Sequence, residues 1–279
     1  MSVRVEISKR KTWQLITAKD IAELLHYRDL LYMMVKRDVT IIYKQTVLGF
    51  AWAIIKPIVQ MVIFTIIFGK FAGIQERIDG KIPYALFSFV ALVPWTYFSS
   101  ALTNATNSLV SGQVFITKVY FPRVIIPLTP ILSKLVDFSI AFVIMLALMF
   151  YYGIALTPLV VVIPLLVVIM VMASFGMGLW LSALSIQYRD INQMMAFLAQ
   201  LLMYLAPVIW PLSLLPEKYR LIYGLYPMVG VIEGFRACLL GTSAIPWDLI
   251  GMGSITSVIL LLTGLVYFRN KEKIFADVA

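Results

Sequence analysis

The sequence predicts an all-α integral membrane protein with six transmembrane helices per subunit, and three observations predict it. Hydrophobic residues fill 61% of the 279 positions and charged residues only 13%, against about 25% charged in an ordinary soluble domain. The hydrophobicity comes in long blocks: Pro158 to Ile186 carries no ionisable side chain, and roughly eighteen such residues suffice to cross a hydrocarbon core as a helix. The alternating segments of about ten residues that a β-barrel needs are absent.

Windows of about nineteen residues place the spans at roughly 47–69, 85–109, 124–152, 158–186, 193–212 and 249–268. The chain divides into a cytoplasmic N-terminal region (1–45), a six-span domain (46–268) and a cytoplasmic tail (269–279). The first apolar block begins near Thr46 behind a polar, basic leader, so no cleavable signal peptide is expected. Within that leader, Tyr27, Leu30, Leu31, Met34, Val35, Ile41 and Ile42 recur near helical spacing, with Arg28, Lys36, Arg37 and Lys44 largely between them. The pattern suits an amphipathic helix in the headgroup plane, the alternative being a solvated helix packed on protein. His26 falls in the same stretch as an ordinary interfacial residue.

Charge sets the orientation. Fifteen lysines and arginines, from Arg4 through Lys118, Arg123 and Arg189 to Lys273, fall on one side of the six spans, and six fall on the other. Positive residues concentrate in the cytoplasm, which puts both termini inside. Topology and anionic headgroups account for much of the +9 net charge, and no nucleic acid is required. Tyr219–Gly241 is apolar enough for a seventh crossing but holds Arg220, Gly224, Pro227, Gly230, Glu233, Gly234 and Arg236. A seventh crossing would also carry Arg269, Lys271 and Lys273 outside. A re-entrant pair of half-helices dipping in from the outer face, between spans five and six, fits better.

Residues for catalysis are missing. Gly69-Lys70 and Gly80-Lys81 are followed by Phe71 and Ile82, where a phosphate-gripping loop needs Ser or Thr. One histidine and one cysteine, His26 and Cys238, supply neither a metal cluster nor a hydrolytic triad. No catalytic and no metal site is expected. Lys56, Lys134 and Asp137 lie within spans, where charge is a functional candidate. Lys134 and Asp137 share a helical face as an ion pair, whereas Lys56 either snorkels to the interface or faces a polar pathway. Trp95, Tyr97, Phe98, Tyr204, Trp210, Tyr219 and Tyr223 cluster towards the outer ends of spans and in the re-entrant segment. They form either an interfacial belt or an aromatic wall against which sugar rings slide. The second span also ends in Ser99, Ser100, Thr103, Asn104, Thr106, Asn107 and Ser108, which bond between helices or face water.

Several motifs occur in a particular order: Lys36-Arg37-Asp38, Tyr43 to Trp52 with Pro57, Pro94-Trp95, Lys118 to Arg123, Gln187 to Ile191, Pro207 to Pro211 and Tyr226-Pro227-Met228. As a set they resemble the polysaccharide and polyol-phosphate export permeases, type-2 permeases of the ATP-binding-cassette class that export O-antigen, capsule and teichoic-acid chains. The likeness runs from about Arg28 to Gly241; the asparagine usual before Pro227 is Tyr226 here. The resemblance implies a homodimer in the cytoplasmic (inner) membrane with two cytoplasmic ATPase subunits. Those subunits bind ATP and Mg, and this chain carries no cofactor. It implies a lipid-diphosphate-linked glycan as substrate, with Arg28, Lys36, Arg37 and Lys44 the nearest plentiful cations at the interface. It also implies ATPase coupling through Lys118, Tyr120, Phe121 and Arg123, with a lesser contact at Tyr188 and Arg189. Rival readings are a permease for small hydrophobic molecules, a proton-coupled transporter using Lys134 and Asp137, and a membrane scaffold.

Overall fold

The computed structural model describes residues 25–44, 51–78, 82–113, 121–188, 190–241 and 244–278. Among them every regular element is helical. In chain order they are α1 (Arg28–Lys44), α2 (Ala51–Phe64), α3 (Tyr84–Ser111), α4 (Ile125–Tyr151), α5 (Ile163–Ser185), α6 (Asp190–Leu205), α7 (Glu217–Gly224), α8 (Pro227–Leu240) and α9 (Trp247–Val278). A π-helical stretch (Thr65–Phe71) prolongs α2, and a 3-10 turn (Pro158–Val162) leads into α5.

Among the described residues, five segments are long and apolar enough to cross a membrane: Ala51–Phe71, Tyr84–Ser111, Ile125–Tyr151, Pro158–Ser185 and Trp247–Glu272. They fall on five of the six expected spans. The remaining one, expected at 193–212, is helical only as α6, whose 16 residues reach about 24 Å against a core of about 30 Å. Pro207 explains the stop, since its ring disfavours a helical Ala206 and supplies no N–H to the ladder. At the other extreme, α9 runs for 32 residues, so the expected tail continues the last helix as far as Val278.

α3 is the central helix: 78% of its most apolar stretch is buried, against 11% for the peripheral α2. Its closest neighbours are α4 and α5, while α9 packs along α5 and α8. The α5–α9 crossing depends on small residues. A Cβ on Gly176 would lie 2.5 Å from the carbonyl carbon of Leu260, and one on Gly264 would lie 2.5 Å from the Gly176 oxygen. Such close backbone approach is how helices associate where no hydrophobic force separates them from lipid.

One end of the bundle has its own apolar cluster. Met34 of α1, Leu109 of α3, Phe121, Ile125 of α4, Ile186 and Phe268 and Phe275 of α9 meet there. α1 and the end of α9 therefore share that end. α6 starts beside it, and the chain after Leu205 reaches the opposite end, where the Ile209 carbonyl accepts a 2.8 Å hydrogen bond from the Tyr84 hydroxyl.

α7 and α8 form a hairpin against α9. Arg220 of α7 pairs with Asp248 in the first turn of α9 at 3.0 Å, and Gly224 lies against Leu249 and Met252. After the turn, Pro227 sits beside Gly253 and Gly230 beside Leu249. The Thr157 hydroxyl then donates to the Cys238 carbonyl near the end of α8. The hairpin thus goes down α9 by about two turns and comes back. Every residue of α8 is buried except Glu233, which is half-buried.

Candidate functional site

A helix at the centre of a membrane bundle should be apolar all round, and α3 is not. Its Thr96, Ser99, Ser100, Thr103, Asn104, Asn107 and Ser111 form one stripe, half-buried at the top and exposed from Thr103 onward. The steps of three and four residues keep them on one face. Thr106 and Ser108 point inward, and the Thr106 carbonyl accepts a 2.6 Å bond from Ser185 of α5. The run of small polar residues therefore splits into an inner set that ties helices together and an outer set that faces away from the core. Along the outer set the donors are used locally: Thr103 donates to the Ser99 carbonyl, Asn104 to that of Ser100 and Ser111 to that of Asn107, at 2.8, 2.8 and 3.0 Å. Their oxygens keep acceptor capacity, and the Asn104 amide keeps a second N–H.

The stripe borders two adjoining hollows between α1, α2, α3 and α4. One, of about 250 Å³, is lined by Arg37, Asp38, Asn104, Asn107, Ser111 and Lys134, among others. The second, of about 150 Å³, is lined by Tyr43, Trp52, Lys56, Thr96, Ser100 and Asp137, among others, and shares Ile42 and Lys134 with the first. Lys134 and Asp137 form the expected ion pair, at 2.8 Å. The Tyr43 hydroxyl at the end of α1 donates to the other oxygen of Asp137. Burial first, and then Asp137, holds that phenol above its ordinary range, so it remains a donor at physiological pH. This contact fastens α1 to α4 across 94 residues of chain. Lys56 lines the hollow, its ammonium 5.8 Å from the Trp52 ring. Lys56 borders this hollow and is itself exposed, which fits both alternatives open for it.

The aromatic residues separate into two groups. Trp95, Tyr97 and Phe98 are buried at 4, 2 and 1% exposure. Tyr97 donates to the Ile131 carbonyl at 3.1 Å and packs edge-on against Phe138, while Phe98 meets Trp95 and Tyr226. Their turns of α3 face α4 and the hairpin, and the rings fill the core, with Tyr97 also reaching the lining of the second hollow. Tyr204 and Tyr219 are about half exposed, and Trp210 lies 5.8 Å from Tyr223.

At the end where α1 and α9 meet, Phe121 is only 7% exposed, within the apolar cluster. Its ring clusters with Met34, Ile125 and Phe268 of its own chain, which leaves little of its surface open to another subunit. Arg123 donates to the Glu272 carbonyl of α9. Tyr188, by contrast, is 60% exposed beside that end. Lys118, Tyr120 and Arg189 lie outside the described residues. On α1, Arg28, Lys36, Arg37 and Lys44 are all exposed, Arg28 beside Asp29 at 3.6 Å and Arg37 bonded to Asp38 at 2.8 Å.

Residues 29–240 match the ABC-2 type transporter family. The chain belongs to that family. This ABC-2 type transporter chain is 28% identical over 252 residues to the O-antigen export system permease protein RfbA of Klebsiella pneumoniae, covering 90% of this chain and 95% of the relative. It is 26% identical to the RfbA of Myxococcus xanthus, covering 92% and 98%. It is 23% identical to the polysialic acid transport protein KpsM of Escherichia coli, covering 81% and 87%.

Two parts of the site in this transporter chain were missed by sequence reasoning. The Tyr43–Asp137 contact has no local signal, since the partners are far apart in sequence. Arg236, counted only as an outer-loop cation, is 1% exposed and bonds Glu233 at 2.8 Å and the Val208 carbonyl at 3.0 Å. Its guanidinium carbon lies 3.6 Å from the Phe87 ring centroid. The i,i+3 spacing of Glu233 and Arg236 was the available sign.

Proposed function

We propose that this chain is the transmembrane permease of an ATP-driven exporter that moves a lipid-linked polysaccharide, O-antigen foremost, across the cytoplasmic membrane. The observation that carries the reading is the polar stripe of α3 in a chain whose full-length relatives include O-antigen export permeases. Seven hydroxyl and amide side chains on the outer face of a spanning helix are costly against lipid. Two copies with these faces opposed form a conduit, and lone pairs along it suit the many hydroxyl donors of a glycan. Work comes from two ATPase subunits, which hold the ATP and Mg and dock at the end where α1 and α9 meet. Tyr188 lies at that end, and the reading adds Arg189, its neighbour in sequence, with Lys118 and Tyr120, the neighbours of Phe121 in sequence. Phe121 supports this surface from within.

In this reading both termini are cytoplasmic, and α6 with residues 206–210 makes the sixth crossing. The α7–α8 hairpin enters and leaves on the outer side, a course supported by the way it descends and returns along α9. α1 lies in the cytoplasmic headgroup plane, where the exposed Arg28, Lys36, Arg37 and Lys44 meet phosphates. Tyr204, Tyr219 and the Trp210–Tyr223 pair offer ring faces to sugars towards the outer exit, and Trp95, Tyr97 and Phe98 brace the wall from behind. The likeness to a polysialic acid transport protein favours a capsule polysaccharide as the second substrate, with teichoic acid as a further alternative.

Deletion of the gene, followed by complementation, tests the reading. Surface polysaccharide should disappear while lipid-linked polymer accumulates inside the membrane, and the intact gene should restore it. Unchanged surface polysaccharide together with altered efflux of small hydrophobic compounds would replace this reading with the drug-exporter alternative.

A further inference from the structure

The chain just before α4 is held at two points. Along the sequence, the Pro122 and Arg123 carbonyls accept from the Ile125 and Ile126 amides at 3.0 and 3.1 Å, so these residues are built into the first turn of α4. Across the fold, the Arg123 guanidinium donates to the Glu272 carbonyl of α9, 149 residues away. α9 is longer than a crossing requires: its 32 residues reach about 48 Å against a hydrocarbon core of about 30 Å. A helix end projecting beyond the membrane is expected to show its side chains to water, yet Phe275 is 0% exposed. Its ring meets that of Phe268 edge-on at 5.2 Å, and the seven-residue step keeps both on one face of α9. The two rings belong to the cluster that contains Phe121 and Met34, against which Tyr27, Leu30 and Leu31 also pack.

A loop attached only to α4 would pivot about that attachment when pushed. A second attachment, on a different helix, removes the pivot. We propose that the last turns of α9 act as a strut: Arg123 and Phe275 fix residues 121–124 to α9, so that a displacement of this loop by an ATPase subunit moves α1, α4 and α9 as one body. α1 and α4 border the polar cleft, and Tyr43 fastens one to the other through Asp137. The push is thereby delivered to the cleft instead of being absorbed in the loop. Arg123 and Phe275 are positioning residues in this scheme and act through the loop, not by touching the ATPase. The role rests on the export reading, in which the ATPase subunits dock at this end, and gives the end of α9 a part in that coupling.

The test uses the whole transporter in proteoliposomes, with a radiolabelled polyprenyl-diphosphate oligosaccharide as probe and ATP hydrolysis measured alongside its translocation. Phe275→Ala and Arg123→Met should each retain the ATPase subunits and continue to hydrolyse ATP. Glycolipid moved per ATP should fall about tenfold, within the ordinary range of coupling between sites. Phe275→Leu, which keeps an apolar side chain in the cluster, and Arg123→Lys, which keeps a donor, should recover most of it. Combining Phe275→Ala with Arg123→Met should be little worse than either alone, since both remove one strut. Asn270→Ala, at an exposed position of the same helix, should leave the ratio unchanged. Size-exclusion profiles identical to wild type confirm assembly, and Arg123→Met carries the test by itself if Phe275→Ala does not assemble. An unchanged ratio in the assembled variants would overturn the strut. Release of the ATPase subunits by Arg123→Met would also overturn it, by making Arg123 part of the docking surface. Both outcomes leave the export reading standing; a wild-type transporter that hydrolyses ATP without moving the glycolipid would overturn that reading itself.

Discussion

Two ion pairs in this molecule have the same chemistry and spacing yet opposite surroundings. Glu233–Arg236 on α8 and Lys134–Asp137 on α4 are both i,i+3 pairs at 2.8 Å. On α8 the arginine side chain is 1% exposed and its partner 14%; on α4 the values are 15% and 29%. Arg236 is closed in by the Phe87 ring and the Val208 carbonyl, so it clamps the α7–α8 hairpin to the start of α3 and to the irregular chain after α6. Lys134 and Asp137 instead border the cleft, fixed from one side by Tyr43. Spacing alone makes a pair; what surrounds it decides whether it fastens the fold or stays available to a ligand.

The largest effect is expected at the sealed pair. Arg236→Ala strands the half-buried Glu233 carboxylate and should cost about 3 kcal/mol, seen as loss of folded protein in equilibrium unfolding from mixed micelles. Replacing both partners, Glu233→Gln with Arg236→Met, should cost clearly less than that single change, because no charge is left unpaired. If the two variants are equally unstable, packing of Arg236 on Phe87 outweighs its charge. Lys134→Ala comes next, at about 1–2 kcal/mol, because water reaches the cleft and screens the abandoned Asp137. A cost equal to that of Arg236→Ala would mean that the two surroundings do not differ. Asn107→Ala should be nearly neutral for stability, within about 0.5 kcal/mol, yet slow polysaccharide export in cells at normal abundance.

Long blocks such as Pro158–Ser185 were legible because a spanning helix needs length and apolarity, and both are written locally. The Lys134–Asp137 pair was legible for the same reason, its spacing being that of one helical face. α6 was overextended because hydropathy continues past Leu205, although Pro207 and Pro211 mark where helical hydrogen bonding ends. The burial of Trp95, Tyr97 and Phe98 was not legible, because composition says which residues are aromatic and not which way the helix turns them. The burial of Phe121 was equally hidden, depending on α1, α5 and α9 closing around it. The stripe of α3 was half legible: its residue types were evident, and steps of three and four separate Asn104, Asn107 and Ser111 from the inward Thr106 and Ser108.

Accessibility along α3 tests the central claim most directly, that its polar face borders water and not lipid. On a Cys238→Ser background, Asn107→Cys on the stripe and Val143→Cys on the exposed apolar face of α4 (64% exposed) are each treated with a membrane-impermeant thiol reagent. Inside-out vesicles carrying the whole transporter present the cytoplasmic side. The account predicts rapid labelling at position 107 and none at 143, with glycolipid substrate slowing the reaction at 107. Position 107 remaining as unreactive as 143, in a complex that still exports polysaccharide, would contradict it.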